Sequence, residues 1–151
     1  MIGSCFIEGD VENVGGVIIK LSVKSKEKEV QAFLDDLKKI LCRKEFNVDD
    51  DLLIIRSKKS GKEQYSTPYI LMDLDYGTSD VADRLKELTI KEYSETLVDK
   101  NDLNPPLLFV FGKNINNRQV YIKLKIKGAP AKHVLCVSFH YAESVMQFPY
   151  T

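Results

Sequence analysis

This 151-residue chain has only two histidines and three cysteines to offer a metal imidazole or thiolate. No CxxC or HxxxH spacing joins them, so the sequence builds no dedicated metal site, and no motif in it asks for a cofactor. Cys5, Cys42 and Cys136 are odd in number and far apart. That argues for reduced thiols in the cytoplasm rather than a disulfide framework. No apolar run approaches the roughly 20 residues of a membrane helix. The start lacks the basic region and apolar stretch of a signal peptide. Gly61-Lys62 is not preceded by the GxxxxGKS or GxxxxGKT spacing of a phosphate-binding loop. Repeats, low-complexity tracts and interdomain linkers are also missing. Residues 1–151 therefore read as one domain, large enough for a single substantial core, with 44% hydrophobic and 29% charged residues.

What is present is concentrated between Leu107 and Ala142. Val120, Ile122, Leu124 and Ile126 alternate with Tyr121, Lys123, Lys125 and Lys127, which places two sets on opposite faces of a strand. In a second run Leu135, Val137 and Phe139 alternate with Cys136, Ser138 and His140. Gly128-Ala129-Pro130 between the runs supplies a chain reversal, so an antiparallel hairpin is expected. Pairing Lys127 with Lys132 opposes Leu124 to Leu135, Ile122 to Val137 and Tyr121 to Ser138, and buries both aliphatic sets together. Tyr121, His140, Lys123 and Lys125 then share one exposed surface. Solvated strands present polar faces anyway, and edge lysines deter aggregation.

Upstream, Val17–Val23 reads as a strand. Ser25 is placed to cap a helix in which Val30, Phe33, Leu34, Leu37, Ile40 and Leu41 form one apolar stripe. Leu52–Arg56 reads as a short strand, and the lysine-bearing segment 57–62 as a loop. Residues 68–76 suit either a strand or a helical turn. Thr78 or Ser79 is placed to cap a second helix, a third short one is expected from Thr89, and 102–106 reads as a rigid connector. This order predicts an α+β domain, a largely antiparallel sheet with helices on one face. Three consecutive antiparallel strands (107–111, 120–126, 134–141) should lie under the 26–42 helix.

The net charge of zero conceals an asymmetry. Six basic residues and one acidic residue lie between Leu103 and Thr151, a net +5 that leaves −5 for residues 1–102. A basic sheet in an otherwise acidic chain suggests a phosphate-binding surface, or one half of an interface with an acidic protein.

The segments Ser79–Tyr93, Phe109-Val110-Phe111-Gly112-Lys113, Val120-Tyr121-Ile122-Lys123 and Val134-Leu135-Cys136-Val137-Ser138-Phe139 resemble the MqsR (motility quorum-sensing regulator) toxins. These belong to bacterial type II toxin–antitoxin systems and to the RelE-like RNase folds. The resemblance covers residues 26–143, is most specific in VYIKLKI and VLCVSF, and leaves 1–23 without a counterpart. It implies a RelE-like fold and an mRNA-cleaving ribonuclease, acting on free or ribosome-bound mRNA, held inactive by a cognate antitoxin. Tyr121 carries over as a functional position. The family lysine after the serine–phenylalanine pair is His140 here. A family lysine in the helix leading to the connector is Glu95, and a family glutamine upstream of the hairpin is Leu108.

Metal-independent RNA cleavage uses the neighbouring 2′-hydroxyl as nucleophile. Histidine titrates near neutrality and suits proton transfer, and lysines supply charge stabilisation at the phosphate. The candidate catalytic residues are therefore His140, Tyr121, Lys113 and Lys123. Lys125, Arg118 and Tyr141 are candidates for RNA binding, with Phe148 and Tyr150 as further stacking rings; Tyr150 also reads as an anchor over the core. No metal, cofactor or membrane is expected. The alternative is a non-catalytic module that binds RNA or protein through the same face.

Overall fold

The computed structural model describes residues 7–14, 17–58, 60–99, 107–128 and 131–151. Cys5, Gly15-Gly16, the 102–106 connector and Ala129-Pro130 of the expected reversal lie outside the described residues. The chain runs β1 (Ile7–Val14), β2 (Val17–Val23), α1 (Glu27–Cys42), α2 (Val48–Asp51), β3 (Leu52–Ile54), α3 (Thr67–Asp73), α4 (Thr78–Lys86), β4 (Tyr93–Asp99), β5 (Leu108–Ile115), β6 (Arg118–Lys127) and β7 (His133–Tyr141). One sheet takes the order β1-β2-β4-β5-β6-β7-β3. Every pair is antiparallel except β3 with β7. The fold is α+β, with the helices on one side of the sheet. Among the described residues, no helix is long and apolar enough to cross a membrane.

The periodicity of α1 explains its place. Val30, Leu34, Leu37, Ile40 and Leu41 are buried along one stripe, and Phe33 stacks on Phe109 of β5 with ring centroids 4.1 Å apart. Beneath it lie Phe111, Val120, Ile122 and Leu124, all with no exposed surface. Each such side chain contributes about 1.5–3 kcal/mol relative to an exposed one. Ser25 does not cap this helix. Glu29 accepts from the Lys26 N–H at 2.7 Å, while Ser25 Oγ bonds Thr96 Oγ1 at 2.7 Å within the protein. Gly77 rather than Thr78 or Ser79 precedes α4, its N–H held by the Asp80 carboxylate at 2.9 Å. The expected third helix is a single 3₁₀ turn, Ile90–Glu92, and 68–76 resolves as the helix α3.

Three consecutive antiparallel strands do lie under α1, as the alternation predicts. β5 turns into β6 through Asn116-Asn117, both at positive φ (51° and 65°); this backbone matches the twist of a two-residue hairpin and suits asparagine. The β6–β7 register differs from expectation. Tyr121 faces His140, Ile122 faces Phe139 and Lys123 faces Ser138, but beyond a bulge Leu124 faces Cys136 and Lys127 faces His133. Val137 is the extra residue. A bulge advances one strand by one position, which flips the side-chain phase beyond it. Val134, Cys136, Phe139 and Tyr141 consequently all enter the helix-side core. Cys136 is thus not on the polar face, and Val137 packs against Leu97, Leu108 and Val110 on the other side.

Candidate functional site

The face of the sheet away from the helices carries the polar set. Two ladder rows define it: Glu95, Val110, Lys123 and Ser138 occur in register across β4–β7, and Gly112, Tyr121 and His140 form the adjacent row. Neighbouring strands are about 4.8 Å apart, so Tyr121 and His140 meet. Their rings stack with centroids 5.1 Å apart and planes 12° from parallel. His140 Nδ1 lies 2.9 Å from the carbonyl oxygen of Tyr141. A carbonyl only accepts, so Nδ1 carries the proton and the lone pair of the neutral ring sits on Nε2. At the β2 side, Ser22 Oγ donates to the Glu95 carboxylate. Glu95 is thus in a strand, not a helix, and a shift in register between Tyr93 and Glu95 aims it at this face.

These groups line a cleft of about 830 Å³. Its floor is Tyr121, Lys123, Ser138 and His140, and its β2–β4 flank includes Ser22, Ser94 and Glu95. Lys123 and His140 are each only 7% exposed, which corrects the expectation of an open, solvated surface. The remaining wall is segment 142–149, which follows β7 and doubles back over the sheet. Its side chains sit directly over Gly112. A Cβ there would lie 2.8 Å from both Met146 Sδ and Phe148 Cζ, so those side-chain ends would have to move aside. Beyond, Tyr150 stacks on Tyr93 (5.8 Å, 21°) and donates its hydroxyl to the Ser25 carbonyl. Tyr150 is thus an anchor over the core rather than a free stacking ring.

The structure therefore brings together His140, Tyr121 and Lys123, with half-buried Lys125 on the same strand face. Three other candidates lie on the helix side. Lys113 pairs with Val120 in the ladder and so points toward the helices; its ammonium meets Glu87 at 3.3 Å and Glu92 at 3.4 Å. Tyr141 is 3% exposed, and its hydroxyl donates to Asp73 at 2.6 Å. Burial, reinforced by that carboxylate, pushes its phenol up to about 12. Arg118 lies 3.5 Å over the Tyr141 ring. A tyrosine so enclosed has no ring face to offer a base. In the 57–62 loop, Lys62 pairs with Glu143 at 3.0 Å.

Glu95 and Ser22 are the site features that residue patterning alone does not single out. Gly112 does carry a signal, since a glycine inside a strand marks a close approach of other chain atoms. Chemically the cleft is lined by one histidine, one tyrosine, two lysines (Lys24 and Lys123) and two glutamates (Glu95 and Glu143). Among the described residues, no group of three or more His, Cys, Asp or Glu could hold a metal ion. No family model, curated protein or solved structure matches the chain.

Proposed function

We propose that this chain is an mRNA-cleaving endoribonuclease of the MqsR-like toxin type, working without a metal and neutralised by a cognate antitoxin. The observation that carries the reading is the meeting of His140, Tyr121 and Lys123 at one cleft on the open sheet face. The resemblance adds support, since the positions it matches to family functional residues (Glu95, Leu108, Tyr121 and His140) all fall on that face.

In this mechanism a phosphodiester seats over Lys123, whose ammonium offsets the charge that develops on the phosphoryl oxygens. His140 Nε2 takes the proton from the 2′-hydroxyl, which attacks phosphorus. Tyr121 donates a hydrogen bond to a non-bridging oxygen. As the 2′-oxygen bonds to phosphorus, the bond to the 5′-oxygen breaks, and that oxygen takes its proton from solvent water. Glu95 lies in the ladder row of Lys123 and Ser138, next to the row of His140, and lines the same cleft. The products are a 2′,3′-cyclic phosphate and a 5′-hydroxyl.

The test is cleavage of single-stranded RNA by purified protein, free and with ribosomes. Removing a general acid–base group typically costs about 10²–10⁴-fold in rate, so His140→Ala should abolish most cleavage while leaving the fold intact. Tyr121→Phe removes one hydroxyl and should give a smaller loss. Wild-type cleavage rates from both variants would refute the site. Wild-type protein that binds RNA with strong salt dependence but never cuts it would favour the binding-module reading.

A further inference from the structure

We propose that segment 142–151 is an autoinhibitory strap, which must lift from Gly112 before a long polymer can enter the cleft. Four observations carry this, and none of them depends on the ribonuclease reading. The two groups most suited to chemistry, Lys123 and His140, lie on the cleft floor at 7% exposure. The wall that encloses that floor is not a strand or a helix but the irregular run 142–149. It meets the sheet through Met146 and Phe148, whose side-chain ends lie over Gly112, where no Cβ intervenes. It is fastened at its two ends by small, separable latches: the exposed ion pair Glu143–Lys62, and Tyr150 stacked on Tyr93 with its hydroxyl on Ser25.

The geometry separates small ligands from large ones. A cleft of about 830 Å³ has room for a dinucleotide-sized molecule. An internal phosphodiester of a long chain is different, because it has to enter sideways with strand continuing from both ends. The strap crosses that route. A segment outside the strands and helices can open locally at a cost below global unfolding, so lifting needs no change in the sheet or its helices. Local opening is also where a partner or a substrate could act, by binding only the lifted state.

Three variants loosen the strap by different means. Gly112→Val inserts side-chain atoms where Met146 and Phe148 now sit, and leaves the strap sequence untouched. Phe148→Ala with Tyr150→Ala removes the seated ring and the latch. Tyr150→Phe removes one hydrogen bond and keeps the stack. The first readout is carbethoxylation of the His140 ring, followed by peptide mapping, with His133 on the same strand as internal reference. Expected is a rise on the order of tenfold in His140 reactivity for the first two variants and about threefold for Tyr150→Phe, with His133 unchanged. Wild-type His140 reactivity in all three, with circular dichroism showing folded protein, would overturn the strap. The second readout rests on the ribonuclease reading. Loosening by Tyr150→Phe, which changes no residue lining the cleft, should speed cleavage of a long RNA and leave a dinucleotide substrate within about twofold. Loss of cleavage on both substrates would mean that 142–149 is a fixed part of the site, which also overturns the proposal. Faster His140 modification with no cleavage by any form would uphold the strap and remove the ribonuclease reading instead.

Discussion

The two faces of strand β6 receive alternate residues of one short sequence and treat them in opposite ways. Toward the helices, Val120, Ile122 and Leu124 vanish completely into the core, and the three site candidates that fall on that side each have a partner there. Lys113 has Glu87 and Glu92, Tyr141 has Asp73, and Arg118 lies on the Tyr141 ring. Toward the open side, Tyr121, Lys123, Ser138, His140 and Glu95 gather around a shared volume under a strap. The lesson is that chemical suitability alone does not identify a site lysine. Lys113 and Lys123 look equivalent as residues, and one register position decides between a structural ion pair and a cleft floor.

The largest expected effect tests the division itself. Ile122→Ala removes a fully buried side chain and should cost about 2–5 kcal/mol of stability. Tyr121→Phe, the adjacent residue on the other face, should cost no more than about 1.5 kcal/mol, the range of a single hydrogen bond. Urea denaturation of the two variants checks this. Equal losses would mean that the open face is as much core as the helix side.

Next in size is the contrast between the lysines. Lys123→Met should lower RNA cleavage about 10²-fold, the loss typical for one group that stabilises developing charge. Lys113→Met should leave cleavage within about twofold, because its partners are the carboxylates of Glu87, just after α4, and of Glu92 in the following turn, exposed enough that the pairs contribute little. Rates measured well below each variant's melting temperature separate the two. The reverse ranking would return Lys113 to the site and break the comparison.

How much of this was legible follows from where periodicity holds. The stripe of α1 and the alternation of β6 are long and regular, so element type, facing direction and the placing of Tyr121 and His140 on one face could be read directly, whereas the expected pairing of Tyr121 with Ser138 gives way to Tyr121 with His140. β7 could be read only in part. Its two halves each alternate, but the bulge at Val137 joins them out of phase, and no residue type there announces it. β4 was missed because YSETLVD mixes polar and apolar residues and carries a register shift of its own between Tyr93 and Glu95. That miss also put Glu95 in a helix. The strap has no period at all, and its position depends on a long-range contact with Gly112. The face exchange of Lys113 is also non-local, since only the pairing with Val120 fixes its direction.

The smallest effect, absent at neutral pH, tests the helix-side role of Tyr141. Its phenol is raised from the ordinary value near 10 to about 12, by burial first and then by the bond to Asp73. In the unfolded chain it ionises near pH 10, whereas in the folded protein it keeps its proton to about pH 12. The raised value therefore contributes stability that is fully present below pH 10 and is lost as pH rises toward 12. In that window the unfolded state holds fewer protons than the folded one, so stability falls with a slope of at most about 1.4 kcal/mol per pH unit from this group. Urea midpoints at pH 9, 10 and 11 should fall more gently for Tyr141→Phe than for wild type. Asp73→Asn should also soften the decline, because it keeps a hydrogen-bond acceptor but removes the charge that opposes the phenolate. RNA binding at neutral pH should be unchanged in both variants. Identical alkaline limbs in wild type and Tyr141→Phe, together with weaker RNA binding, would instead place this ring in the nucleic-acid contact and dissolve the contrast between the two faces.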